Sequence, residues 1–269
     1  MTQSDKAFTG SIPAIYDRYL GPMLFAPYAS DLAARVKALA PLAVLETAAG
    51  TGIVTARLAE VLSDDAVITA TDLNQAMIDT AAAKTASPKI TWQACDATRL
   101  PFADGSFDVV LCQFGVMFFP SKVDAFKEAR RVLRPGGKFL FNVWDRLELS
   151  PISIAISDAV AALYPADPPN FLRRTPFGYN DIETISNQLG QAGFGTIDSV
   201  VVMLPCRCPS PRDAAVGQCH GSPLRSEIEA RDANGLGAAT EAAAAALAAR
   251  FGDGPIESTM QAIVFTAAG

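Results

Sequence analysis

Three acids and one glycine turn in the first third of the chain have the types and spacing to hold a charged, nucleotide-like ligand. They are Glu46, the turn Gly50-Thr51-Gly52, Asp72 and Asp96. Each acid directly follows a short apolar stretch, Leu42–Leu45, Ala66–Thr71 and Lys89–Cys95. Glycines just past such a stretch let the backbone turn sharply and approach a ligand closely. A helix starting there also presents free N–H groups. Carboxylates at strand ends accept hydrogen bonds from hydroxyl or amino groups. As structure alone, Asp72 and Asp96 would end strands or cap turns; two of them on successive strand ends beside a glycine turn favour binding.

Two other groups invite a chemical reading. His220 is the only histidine, and so the only ring that could serve as a base near neutral pH. It lies in a Gly/Ser/Pro-rich stretch, where solvent exposure is expected, and is a weak catalytic candidate. Cys206 and Cys208, with Cys219 and His220 downstream, imitate a metal cluster. Zinc sites use wider pairs such as C-x2-C, so no metal is expected. Cys95 and Cys112 sit in apolar strand-like contexts and read as small buried hydrophobes.

The elements that position these residues alternate. Helical stretches at Ile53–Leu62, Gln75–Ala86 and Lys122–Leu133 separate strand-like runs ending at Glu46, Asp72, Asp96 and Cys112, with a fifth at Lys138–Trp144. Such alternation means right-handed βαβ crossovers and a parallel sheet covered on both faces. Ligands then bind at the carboxyl ends of the strands, near the point where strand order reverses. Residues 1–40 form an aromatic cap (Phe8, Tyr16, Tyr19, Phe25, Tyr28) with a helix capped by Ser30 or Asp31. Residues 41–145 are the ligand-binding core. Residues 146–180 and 205–258 are insertions expected to form a lid or acceptor pocket. Residues 181–204 and 259–269 return to the core sheet.

The run Val44-Leu45-Glu46-Thr47-Ala48-Ala49-Gly50-Thr51-Gly52 resembles motif I of class I SAM-dependent methyltransferases, acid-x-Gly-x-Gly-x-Gly. Ala70-Thr71-Asp72-Leu73-Asn74 resembles the second motif. Ala94-Cys95-Asp96-Ala97 and Phe107-Asp108-Val109-Val110 resemble the third and fourth. Arg131-Val132-Leu133-Arg134-Pro135-Gly136-Gly137 is similar to the turn before strand five in the UbiE-like group, and Ala192-Gly193-Phe194 to its lead into strand six. One G-x-G alone is weak; the five elements between 42 and 145, in order and spacing, are specific. Two positions depart from the pattern: Glu46 stands for the commoner Asp, and Ala48 for the first Gly.

The resemblance implies a Rossmann-like, doubly wound, mostly parallel seven-stranded sheet with an antiparallel last strand and helical insertions forming a lid. It implies S-adenosyl-L-methionine (SAM) as cofactor and S-adenosyl-L-homocysteine (SAH) as product. Glu46 with Ala48, Gly50, Thr51 and Gly52 would hold the methionine part, and Asp72 the ribose. Leu73 and Met77 would pack near the adenine, with Asp96 and Ala97 on its amino group. Cys112, Gln113 and Phe114 would line the methyl-transfer side. Tyr16, Tyr19 and Tyr28 are candidates to close over the cofactor, Tyr19 foremost.

The expected activity is methyl transfer to a small-molecule acceptor by in-line displacement, and the acceptor is hinted to be hydrophobic or aromatic by Phe114, Met117, Phe118 and Phe119. A net charge of −6 and pI near 4.9 exclude a polyphosphate backbone or anionic membrane as partner. Without a leader or spanning segment, a cytoplasmic location is expected, and a homodimer is left open. A non-catalytic SAM-binding protein is one alternative. An NAD(P)-dependent oxidoreductase is another, but its fingerprint needs a third glycine where Thr55 stands.

Overall fold

The computed structural model describes residues 12–269; Phe8, part of the aromatic N-terminal reading, lies outside them. A short helix, Ile12–Ile15, continues as a π-helical run, Tyr16–Phe25, and then as α1, Ala26–Ala38. There follow β1 (Ala43–Glu46), α2 (Ile53–Val61), β2 (Val67–Asp72), α3 (Gln75–Lys84), β3 (Ile90–Ala94) and β4 (Phe107–Gln113). Next come α4 (Lys122–Val132), β5 (Leu133–Trp144), α5 (Pro151–Ala162), α6 (Ile182–Gln191) and β6 (Thr196–Cys208). The chain closes with α7 (Pro211–His220), α8 (Leu224–Arg231), α9 (Leu236–Phe251) and β7 (Ile256–Ala268).

The seven strands run β3-β2-β1-β4-β5-β7-β6, parallel except for the antiparallel last strand, as expected. Strand order reverses between β1 and β4, whose register pairs Glu46 with Leu111. Central strands covered on both faces must be apolar throughout. Val44, Leu45, Val110, Leu111 and Cys112 accordingly have no exposed surface. Edge strand β3 is only partly covered.

Two compact units divide the chain. The sheet unit comprises 28–143, 179–202 and 262–269; the other, mainly helical, comprises 12–27, 144–178 and 203–261. In the sheet unit, α1 supplies Ala29, Leu32, Ala33 and Val36 to a core shared with Leu58, Ile68, Val109 and Leu140. α1 starts before Ser30 and Asp31, so neither caps it, and Asp31 instead pairs with Arg35 at 2.7 Å. Helix α4 buries Ala125, Phe126, Ala129 and Val132, one face at helical spacing. Phe126 packs on Phe139 and Phe141 of β5, and Phe141 stacks on Phe265 of β7 at 5.0 Å.

The residues at the junction of α4 and β5 are structural rivets. Asp108 takes the N–H groups of Leu42 and Ala43 on one oxygen and Arg134 on the other, fixing the start of β1 beside β4. Arg131 ties Leu100, Phe102, Asp104 and Glu128 together. The strand expected from Lys138 already begins at Leu133, which pairs with Phe107. Likewise β6 extends to Cys208, so Cys206 and Cys208 are strand residues and not part of a loop.

In the helical unit, α9 packs along α7 and α5. Its buried positions are Ala239, Thr240, Ala243 and Leu247, spaced by one, three and four residues. Small side chains there permit close helix approach. Among the described residues no helix is long and apolar enough to cross a membrane.

Candidate functional site

The site is built within the sheet unit at the carboxyl ends of β1, β2 and β4. Glu46 ends β1 with 1% of its surface exposed. The Thr55 hydroxyl, one turn into α2, donates to Glu46 Oε2 at 2.6 Å, and the Thr71 hydroxyl donates to the Glu46 carbonyl at 3.0 Å. Burial pushes the carboxyl up to about 8; the Thr55 hydroxyl works against this, and the nearby Asp72 carboxylate adds to it.

Past Glu46 the backbone makes left-handed turns at Ala48 (φ 52°), Gly50 (φ 57°) and Gly52 (φ 77°). The motif's preference for glycine at the first of these positions thus has a conformational cause: Ala48 holds a geometry that costs an L-residue about 1–2 kcal/mol. Gly52 has a second constraint. A Cβ there would sit 2.7 Å from the Trp92 ring. Gly52→Ala is therefore expected to destabilise the fold by about 2–3 kcal/mol, combining backbone strain with overpacking. Urea unfolding of the variant against the wild type measures this.

The loop is pinned to β2 rather than left hanging. Asp72 Oδ2 accepts the Gly50 N–H at 2.9 Å, Asp72 Oδ1 accepts the Asn74 N–H at 2.8 Å, and the Ala49 N–H donates to the Thr71 carbonyl at 2.9 Å. Burial raises the Asp72 carboxyl, while the N–H groups of Asn74, Gly50 and Leu73 oppose the rise. Thr51 is buried in the turn. The Asp72 carbonyl also accepts the N–H of Cys95, the residue just past β3, at 3.0 Å. Asp96 itself is exposed, with Oδ1 accepting both the N–H and hydroxyl of Thr98. Ala97 is half-buried beside it. Leu73 is exposed at the surface, whereas Met77 is buried on the inner face of α3.

On the other side of the reversal point, Cys112 is wholly buried, and burial pushes its thiol up to about 12, which removes it as a nucleophile. Gln113 stands in register with Asn142 of β5. Phe114 is left-handed (φ 50°), and its N–H donates to both the carbonyl and Oδ1 of Asn142, at 3.2 and 3.0 Å. The Phe114 ring meets Tyr28 edge-on at 5.2 Å. Met117 is buried; Phe118 and Phe119 are half-exposed.

Tyr28 was expected to close over the cofactor; it has no exposed surface, and its hydroxyl donates to the Val202 carbonyl at 2.9 Å, so it is a core residue. Tyr19 and Tyr16 belong to the helical unit, where Arg18 lies over the Tyr19 ring and Tyr16 stacks on Phe25. His220 is not solvent-exposed in a loose insertion. It ends α7, half-buried, with Nε2 2.9 Å from the Thr240 hydroxyl, and burial followed by nearby Arg225 holds its pKa below the ordinary value. Cys95 is only half-buried and lies just beyond β3. Thr55, Thr71, Asn142 and Gly115 were not singled out as site residues, although a buried acid at a strand end always requires partners such as the first two.

A methyltransferase domain model matches residues 45–141, the stretch that carries the site. Among curated relatives, the chain is 37% identical over 128 residues to a ubiquinone/menaquinone biosynthesis C-methyltransferase of a Caulobacter strain, covering 44% of this chain and 49% of that protein. It is 30% identical over 166 residues to the enzyme so named in Burkholderia mallei, covering 57% and 68%. The chain spans about half or less of the length of the first curated relatives it matches. Among solved structures, a phosphoethanolamine N-methyltransferase of Haemonchus contortus, solved with SAM, superposes with a TM-score of 0.61 at 16% identity, covering 100% and 60%. That likeness is one of fold. With the strand-end acid, the left-handed loop and the strand order all in place, the Burkholderia match shows that this chain belongs to the UbiE-like class I SAM-dependent methyltransferases.

Proposed function

We propose that the protein transfers the methyl group of SAM to a small-molecule acceptor. The observation that carries this reading is the bonded assembly of Glu46, the 48–52 loop and Asp72 at the ends of β1 and β2. Its donor set fits the cofactor: a buried acid suits an ammonium group, and a carboxylate at the end of β2 suits vicinal hydroxyls. The Gly50 position is open, with nothing within 4 Å of where a Cβ would stand. Bound SAM supplies a methyl group already activated on sulfur. The chain's share is to bind, align in-line and exclude water, which can lower the barrier by about 7–11 kcal/mol. No protein nucleophile is required, and Cys112 is held as a neutral thiol.

A small acceptor accords with the net charge of −6, which disfavours nucleic acid, and with the quinone-pathway names of the relatives. The acceptor atom sets the reaction subclass. Titrating the purified protein calorimetrically with SAH, SAM and NAD tests the reading. Micromolar binding of the first two supports it; binding of NAD alone overturns it.

A further inference from the structure

We propose that Gly115 is a positioning residue for the cofactor loop, acting through the Ala48 methyl group; this rests on the methyltransferase reading above. The two segments meet side by side. A Cβ at Gly115 would lie 2.5 Å from Ala48 Cβ and 2.7 Å from Cys112 Sγ, distances that no real Cβ sustains. Ala48 is the loop residue between Glu46 and Gly50, and it already holds a strained left-handed conformation. The vacancy at residue 115 is what admits its methyl group.

The turn that carries Gly115 is the stiffer partner. Phe114 is left-handed, which is uncommon for a bulky residue and marks a conformation imposed by its surroundings. Asn142 imposes it: both its carbonyl and Oδ1 accept the Phe114 N–H, and the residue is wholly buried. Asn142 Nδ2 has no hydrogen-bond acceptor among the described residues, so the carboxamide earns its place through Oδ1. The edge-on contact of Phe114 with buried Tyr28 adds to the anchoring. Any bulk added at residue 115 must therefore displace Ala48, and with it the loop between Glu46 and the Gly50 N–H that Asp72 holds.

Four proteins decide the matter: wild type, Gly115→Ala, Ala48→Gly and the double variant, each titrated with SAH and unfolded in urea. Gly115→Ala should weaken SAH binding about thirtyfold, the size of a typical overpacking penalty of about 2 kcal/mol. Ala48→Gly is the reference for the double variant, since a glycine meets the same φ without strain and removes the methyl group that bulk at residue 115 would strike. The double variant should recover about tenfold over Gly115→Ala, the remainder belonging to Cys112 Sγ. Gly115→Ala that loses stability but binds SAH like wild type overturns the proposal, as does a double variant no better than Gly115→Ala. Wild type that fails to bind SAH is a different result, because it overturns the methyltransferase reading itself.

Discussion

Asp72→Ala should bind SAH about a hundredfold more weakly than wild type, while remaining folded. The carboxylate does two things at once in the structure. One oxygen fixes the Gly50 N–H and the other fixes the Asn74 N–H, so the loop after β1 and the start of α3 share one anchor. Hydrogen bonds to an ionised group contribute about 1.5–3 kcal/mol each, and a hundredfold change corresponds to about 2.7 kcal/mol. Losing the anchor loosens the loop at Gly50, leaving the Ala49 bond to the Thr71 carbonyl as its hydrogen-bonded tie to β2, and on the proposed reading it also removes the partner of the ribose hydroxyls. Asp72→Asn keeps one acceptor and should fall between the two. Calorimetric titration of the three proteins reads the series; binding by Asp72→Ala within about threefold of wild type would show that the carboxylate is only a turn residue.

Much of this arrangement was legible before any coordinates. Acid-terminated apolar runs beside Gly50-Thr51-Gly52 specify where a parallel sheet presents its strand ends, and β1, β2 and β4 end within a residue of their expected positions. Glu46 and Asp72 fall where spacing placed them because period and burial are local properties of the chain.

What stayed hidden depends on contacts between distant residues. Nothing local says that Tyr28 belongs to the core; its burial follows from Phe114 and the Val202 carbonyl, 174 residues away. His220 looked loose because Gly, Ser and Pro surround it, yet Ser210 caps α7 by accepting the Asp213 N–H, and the helix carries His220 to Thr240. The role of Thr55 was missed for a different reason. It was weighed only as an absent glycine, whereas a hydroxyl one turn into α2 is what a buried strand-end acid requires. Asn142 offered a usable signal, a single amide in the apolar run of β5, standing opposite Gln113 at the strand end.

Glu46→Gln should separate from wild type as pH rises, becoming relatively more stable at alkaline pH. The folded carboxyl titrates near 8, chiefly because of burial, whereas an unfolded one titrates near 4.5. Below 4.5 both states hold the proton, and the raised pKa has no effect. Between 4.5 and about 8 only the unfolded chain ionises, so the folded state binds more protons and stability falls with rising pH. Above about 8 both are ionised and the loss levels off. The full span corresponds to about 5 kcal/mol. A glutamine amide oxygen still accepts the Thr55 hydroxyl but cannot ionise, so the variant lacks this slope. Urea unfolding at pH 5, 6.5 and 8 measures the divergence, and parallel curves would mean that Glu46 is ionised throughout. The same proton reports on function. If Glu46 receives the ammonium group of the ligand, SAH binding at pH 7 must drive the proton off, since an ammonium beside the acid favours its charged form. The wild-type binding enthalpy should then vary with the ionisation enthalpy of the buffer, and that of Glu46→Gln should not. A buffer-independent wild-type enthalpy would place the ammonium elsewhere, leaving Glu46 a purely structural acid held by Thr55.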